Sequence, residues 1–222
     1  MSAALAWPAT PMAAGPLPEA LRRLGRCLAP WTFLRIDVDR PLDGLARELQ
    51  GLHGRLADGT LQATSLLLPG PLPGLRLWHR QADGEHYVYV EDMAAGCLAG
   101  TTVLNRLVEV GRAVDPHVRS PHSRYLPAYQ RRGIATAVYA WALDSGICLV
   151  SGARQSPGAH ALWQALGRRY GLGYVQLSAR RLRWLGTAMA VAPALADGLD
   201  TRLMLWSGAR ERLRWLDGLA RA

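Results

Sequence analysis

The chain contains no lysine. All 26 of its basic residues are arginine, set against 17 acidic residues for a formal charge of +9. Asparagine occurs only at 105, and isoleucine only at 36, 134 and 147, while Arg, Ala, Gly, Pro and Leu are abundant. That pattern reads as a GC-rich coding bias, so the positive charge is weak evidence for nucleic-acid binding. A basic surface still favours anionic ligands, and a nucleotide cofactor meets that demand as well as nucleic acid does. The three cysteines, Cys27, Cys97 and Cys148, are widely and irregularly spaced. This excludes a disulfide framework and a cysteine metal site. They read as free thiols, which points to a reducing compartment. No apolar run approaches roughly 18 residues, so no membrane span is expected. No basic segment leads into an apolar run at the N-terminus, so no signal peptide is expected and the expected location is cytoplasmic. Repeats and heptads are absent. What remains is a chain of 222 residues, half of them hydrophobic, which suits one large domain with appendages.

Residues 1–30 open with Pro8, Pro11, Pro16 and Pro18 and read as an Ala/Pro-rich arm, with a short helix over Glu19–Ala29. Trp31–Val38 alternates as a strand. Leu42, Leu45, Leu49, Leu52 and Leu56 step by three and four, which predicts a helix over Pro41–Leu56 with Pro41 in its first turn. Pro69, Pro71 and Pro73 mark a loop over Leu66–Gly74. Glu85–Glu91 and Cys97–Leu104, joined by a turn at Met93–Gly96, form an expected antiparallel hairpin. Ser120–Leu126 is a strand, Gly133–Asp144 a helix, and Gly146–Ser151 a short apolar strand. Pro157–Arg169 is a helix with Ser156 as N-cap, and Tyr174–Leu177 a strand. Leu182–Val191 and Thr201–Trp206 are candidate strands, and Ala209–Arg221 a terminal amphipathic helix. The order predicts a mixed α/β layer around one sheet.

The segment Tyr125-Leu126-Pro127-Ala128-Tyr129-Gln130-Arg131-Arg132-Gly133-Ile134-Ala135 runs from a strand through a basic glycine turn into a helix. Read as Gln-x-x-Gly-x-Ala, it describes a pyrophosphate cradle. The N–H groups of a helix's first turn have no intrahelical partner, and the helix dipole adds positive charge there. Gly133 permits close approach, Ala135 keeps the next turn small, and Arg131 and Arg132 add charge at the rim. Arg168 to Gly173 fits Arg/Gln-x-x-Gly-x-Gly equally well, but it follows a helix and precedes a strand. It reads as a helix stop, with Gly171 or Gly173 as C-terminal cap.

Tyr125, Pro127, Tyr129, Gln130, Gly133 and Ala135, followed by a strand and by the helix Ser156-Pro157-Gly158-Ala159-His160-Ala161-Leu162-Trp163, resemble the core of the GNAT superfamily of N-acetyltransferases. The match covers residues 85–178 at most. The resemblance implies a mixed, mostly antiparallel central sheet flanked by helices in a GNAT-like acyl-CoA N-acyltransferase fold, with an acetyltransferase domain over 31–178, its CoA-binding core at 118–178, and a C-terminal extension, 179–222, packed on the same domain. It implies acetyl-CoA as donor, an amine as acceptor, direct attack in a ternary complex, and no metal. The pyrophosphate would lie on the N–H groups of Arg131 through Thr136, with Tyr125, Leu126, Gln130, Arg132, Gly133, Ile134 and Ala135 completing the donor site. The pantetheine would pair with the Ser120–Leu126 strand, which in the family splays from the next.

Two departures are visible. Trp163 stands where the family often has the tyrosine that protonates the leaving thiolate, and indole is no usable acid. Ser156 replaces an asparagine, either as a helix cap or as a polar group near the thioester sulfur. Glu91, with Asp92 beside it at the hairpin end, and His122 are the candidate bases; the alternatives are a solvated turn charge and a structurally satisfied histidine. His117 and His122 do not form a metal pair. Tyr139 and Tyr170 read as packing residues, and the tryptophans at 78, 141, 163, 184, 206 and 215 as core. Arginines 180, 181, 183, 210, 212 and 214 read as a solvated face, with nucleic acid as a less favoured partner. The resemblance supports an active enzyme. The alternative is a catalytically degenerate module that binds CoA, a protein partner or nucleic acid. The extensions can shape the acceptor pocket or a homodimer interface.

Overall fold

The computed structural model describes residues 44–68, 72–187, 200–208 and 213–217. The expected arm over 1–30, the helix at Glu19–Ala29 and the strand at Trp31–Val38 lie outside these residues. Helix α1 (Leu45–Ala57) follows Gly44, which caps it in the left-handed region at φ 76°. Leu45 and Leu49 are buried, with Leu52 and Leu56 packed beside them against Tyr89 and Leu98. The leucine spacing is therefore the buried stripe of a real helix, although the described helix starts later than Pro41.

The chain then builds a sheet of nine described strands. They are β1 (Thr64–Leu66), β2 (Leu75–Ala82), β3 (Glu85–Asp92), β4 (Cys97–Asn105), β5 (Val118–Tyr125), β6 (Cys148–Val150), β7 (Gly171–Ser178), β8 (Arg181–Gly186) and β9 (Thr201–Trp206). Spatial order is β1-β2-β3-β4-β5-β6-β9-β7-β8. Every neighbouring pair is antiparallel except β5 with β6. This is the expected mixed, mostly antiparallel sheet flanked by helices. Helices α2 (Ile134–Asp144) and α3 (Pro157–Leu166) fill the two crossovers around β6. The last two strands, β8 and β9, come from the C-terminal extension and join the same sheet.

Strand β2 is absent from the sequence expectations. It carries no β-branched residue, so its propensity is weak. Register with β3 over Leu75↔Asp92 to Ala82↔Glu85 holds it extended. A tight turn at Asp83 and Gly84, both at positive φ, joins the two strands.

Two further expectations are corrected. Gly171 and Gly173 do not cap a helix; α3 ends at Leu166, and both glycines lie inside β7. A Cβ at Gly171 would collide with the Trp206 ring, and one at Gly173 with the Trp184 ring. These glycines exist to seat two tryptophans, which meet edge-on at 5.5 Å. The terminal helix is not continuous either. Residues 213–217 form a turn in which Asp217 bridges Arg183 of β8, because Leu213 and Leu216 are drawn into the Trp184–Trp206 core. Its remaining residues lie outside those described.

One core lies where α2 and α3 cover the sheet, around Val88, Val90, Leu104, Val138, Leu143 and Trp163. Fully burying side chains of this size contributes about 1.5–3 kcal/mol each. α1 covers the opposite face of β3 and β4.

Candidate functional site

β5 and β6 are in register only at Val118↔Cys148 and Arg119↔Leu149. Beyond Arg119 the two parallel strands part. β5 keeps its pairing with β4 from Ser120 to Tyr125, while β6 turns to β9. The result is a wedge, one wall of which is roughly 20 Å of β5 with no strand partner on that side. Arg119 braces its apex. Only 8% exposed, it donates through Nε to the Gly84 carbonyl at 2.7 Å and through Nη1 to the carbonyls of Asp115 and Val118.

The glycine turn sits directly at the open end of β5. Pro127–Tyr129 makes one 3-10 turn, with the Tyr129 N–H donating to the Leu126 carbonyl at 2.9 Å. The Gln130 side-chain amide donates to the Tyr125 carbonyl at 3.0 Å. Arg131 and Gly133 both adopt left-handed backbone, at φ 58° and 77°. The first intrahelical bond of α2 runs from Ala137 N–H to the Gly133 carbonyl. The N–H groups of Ile134, Ala135 and Thr136 therefore precede the helical ladder. Nothing lies within 4 Å of a Cβ placed on Gly133, so the turn opens onto space. Left-handed backbone alternating with right-handed backbone is the geometry of an anion nest.

Two side-chain clusters fix this turn from below. The Tyr129 hydroxyl donates to Asp92 Oδ2 at 2.9 Å, and Arg132 lies over the Tyr129 ring at 5.4 Å. Asp92 also accepts the backbone N–H groups of Ala94 and Ala95. The hydrogen bond to Asp92 is the main reason the Tyr129 phenol is pushed up to about 12. On the α2 side of β5, Thr102 Oγ1 lies 2.6 Å from the Tyr125 hydroxyl and 2.7 Å from Ser123 Oγ. Ser123 Oγ donates to the Tyr139 hydroxyl at 3.4 Å. Burial pushes the Tyr125 and Tyr139 phenols up, Tyr139 to about 12, so both keep their protons at neutral pH. Tyr139 then meets Trp163 edge-on at 6.3 Å.

The sequence candidates fall in different places. Tyr125, Leu126 and the run Gln130–Thr136 come together at the end of β5. His122 lies on the unpartnered stretch of β5. It shares a face with Arg124, which pairs with Glu48 of α1 at 2.6 Å, so both sit on the α1 side. Glu91 lies on β3 rather than at the wedge. It is no loose turn charge: the Trp78 indole N–H donates to Oε2 at 2.9 Å, and His53 Nε2 lies 3.2 Å from Oε1. Ser156 caps α3, accepting the Ala159 N–H at 3.2 Å. Trp163 is 3% exposed, and Tyr139 and Tyr170 are buried with it. His117 stacks on Trp215 at 5.1 Å. Sequence reasoning missed His53, read Trp78 only as core, and weighed Asp92 only beside Glu91 as a hairpin-end carboxylate. His53, Trp78 and Asp92 are joined to their partners by folding over long separations, which no spacing rule reaches.

Among the described residues, no group of three or more His, Cys, Asp or Glu is placed to hold a metal ion. No described helix is long and apolar enough to cross a membrane. A concavity of about 420 Å³ lies at the far β1–β2 edge, lined mainly by leucines 66, 67, 68, 72, 75 and 77.

No protein-family model matches the sequence, and neither does any curated protein. Solved structures do resemble the fold. A GNAT superfamily phosphinothricin acetyltransferase from Sinorhizobium meliloti, in complex with AcCoA, is 18% identical with a TM-score of 0.36, covering 58% of this chain and 64% of its own. The present chain thus spans less than two thirds of that protein's length. A GCN5-related N-acetyltransferase from Kribbella flavida is 13% identical at a TM-score of 0.34, covering 76% of this chain and 93% of its own. A ribosomal-protein-S5-alanine acetyltransferase from Vibrio fischeri is 12% identical at 0.32, covering 83% and 81%. The first two carry the name of the family that the motif segment resembles, and the third is an acetyltransferase. At scores of this size none of them fixes an activity for this chain.

Proposed function

We propose that this chain is a CoA-dependent acyltransferase of the GNAT type, which transfers acetyl from acetyl-CoA to an amine by direct attack in a ternary complex. The observation that carries this reading is the parting of β5 from β6 immediately upstream of the left-handed turn at Arg131 and Gly133. A strand edge without a partner suits an extended, amide-bearing arm. A nest opening onto a helix N-terminus suits the pyrophosphate at that arm's end. The two lie in the order that a CoA molecule requires.

In this reading the N–H groups of Arg131 through Thr136 hold the pyrophosphate, with Arg131 and Arg132 at the rim. Residues 120–126 hold the pantetheine. The neutral amine attacks the thioester carbonyl carbon, the C–S bond breaks, and the amine's proton ends on the CoA sulfur. Holding both reactants is worth as much as ~7–11 kcal/mol. His122 is the candidate base, since it stands beside the wedge and imidazole is substantially neutral near pH 7. Glu91, already bound by Trp78 and His53, serves better as an anchor of α1 on β3. Trp163 supplies packing rather than a proton.

Isothermal titration with acetyl-CoA, followed by thiol release across candidate amines, tests the proposal. Absence of binding at high micromolar acetyl-CoA overturns it. The buried Trp163 favours a second reading, in which CoA binds without catalysis. Binding with no turnover on any amine selects that reading.

A further inference from the structure

Four hydroxyls form one chain on the α2 side of β5. The Tyr125 hydroxyl lies 2.6 Å from Thr102 Oγ1, Thr102 Oγ1 lies 2.7 Å from Ser123 Oγ, and Ser123 Oγ lies 3.4 Å from the Tyr139 hydroxyl. Each hydroxyl carries a single proton, so the direction of the chain follows from counting them. Ser123 is the donor to Tyr139, and its proton is thereby used. Thr102 must then donate to Ser123, and Tyr125 to Thr102. The proton left over is that of Tyr139, which has no acceptor among the described residues. Tyr139 is only 6% exposed. An O–H without an acceptor at that depth opposes folding, and native proteins retain such a group where something else pairs it.

Two contacts place this phenol across the parting of the sheet. Its hydroxyl meets Ser123, inside the stretch of β5 that pairs with β4 and has no strand partner toward β6. Its ring meets Trp163 edge-on, and Trp163 belongs to α3, the helix that follows β6. Ser123 stands two residues before Tyr125, roughly 7 Å along β5 from the glycine turn. A ligand with its phosphates on that turn and its arm along β5 therefore extends toward the Tyr139 hydroxyl.

We propose that Tyr139 is a catalytic residue whose O–H donates to the sulfur of the bound thioester and stabilises the charge that gathers there as the C–S bond breaks. This rests on the acyl-CoA reading above. The electron pair of the C–S bond goes to sulfur, and the proton that the amine loses reaches sulfur by way of the base, so Tyr139 ends the step as it began. Burial pushes its phenol up to about 12. A thiol ionises near about 8.5, so the phenol is the weaker acid and keeps its proton while donating it in a hydrogen bond. Tyr139 thus offers the sulfur a hydroxyl that Trp163 does not.

The test is the binding of CoA and of desulfo-CoA, in which hydrogen replaces the thiol, at about pH 7 and about pH 9.5, below and above the ordinary thiol value. Between these values the wild type is expected to gain about tenfold in preference for CoA, because the thiolate is the stronger acceptor. Tyr139→Phe should lose that gain and keep the wild-type affinity for desulfo-CoA. Ser123→Ala, which breaks the chain but retains the phenol, should keep the gain. Ultraviolet titration of the thiolate in the wild-type CoA complex, read against the desulfo-CoA complex, needs no variant: the bound thiol should ionise about one unit below free CoA. Ionisation at or above the free value overturns the inference. So does an undiminished gain in Tyr139→Phe, an equal loss of affinity for both ligands in that variant, or loss of the gain in Ser123→Ala. Failure of the wild type to bind either ligand instead overturns the acyl-CoA reading and this inference with it, a result distinct from any of these.

Discussion

The Gln130 side chain reaches back across the turn to the Tyr125 carbonyl, 3.0 Å away. One hydrogen bond thereby ties the last residue of β5 to the start of the nest. Gln130 thus braces the turn, and in the proposed reading it shapes the cradle by holding its entry. Gln130→Leu is expected to remove about 0.5–1.5 kcal/mol, read as a rise of roughly twofold to tenfold in the acetyl-CoA dissociation constant. An unchanged constant in calorimetry counts against this role.

Gly133 has two separable requirements. Its φ of 77° disfavours any L side chain, at a cost of roughly 1–2 kcal/mol. The space beyond its Cβ is open, which is where an anion would sit. Gly133→Ala should lower stability by that strain with limited effect on binding. Gly133→Trp should add a block of the cradle and abolish CoA binding. Denaturant unfolding and calorimetry on the pair separate strain from obstruction; equal CoA affinities would refute the obstruction.

Ser156 is a cap, so Ser156→Ala is expected to lower stability by about 0.5–2 kcal/mol. Ser156→Asp, which can still accept the Ala159 N–H, should recover most of that. A direct role at the thioester would instead appear as a fall in kcat that Asp does not rescue.

Gly171 and Gly173 lie under tryptophan rings, so an added methyl at either has nowhere to go. Gly171→Ala and Gly173→Ala are each expected to cost about 1–3 kcal/mol through overpacking. A melting temperature equal to the wild-type value for either would show that the rings move aside.

His79 Nε2 lies 3.1 Å from His86 Nδ1, the rings stacked at 5.3 Å and both set edge-on against Trp141. Burial lowers both histidines below their usual value. His79 and Arg119 add repulsion at His86. The folded state thus favours the neutral rings, and the unfolded chain takes up protons first. Stability is then full above the unfolded value near 6.5 and declines as pH falls below it. Urea midpoints between pH 7.5 and 5 should show this decline, and His86→Phe should reduce it. A flat wild-type profile would contradict the assignment.

The parts legible in the sequence were those governed by local rules. Ser156-Pro157 announced a helix start, the leucines of α1 announced its buried stripe, and Gln130 to Ala135 announced the turn. β2 was hidden because Leu75 to Ala82 has no β-branched residue, although Asp83-Gly84 was a hairpin signal at its end. The second glycine motif misled because Gly171 and Gly173 answer to Trp206 and Trp184, which are distant in sequence. The candidate site divides likewise. The turn at Arg131–Gly133 was readable, whereas the hold of Trp78 and His53 on Glu91 exists only once α1 and β2 have packed.

The two-pair junction at Val118 and Arg119 makes the sheet two slabs joined by a narrow seam. A ligand lying along β5 would act as a missing strand and staple the slabs together. Ligand binding and mechanical continuity are then the same event. The amide protons of 120–125 that face away from β4 should exchange slowly with deuterium only in the liganded chain, and cooperativity of unfolding should sharpen as the seam is filled.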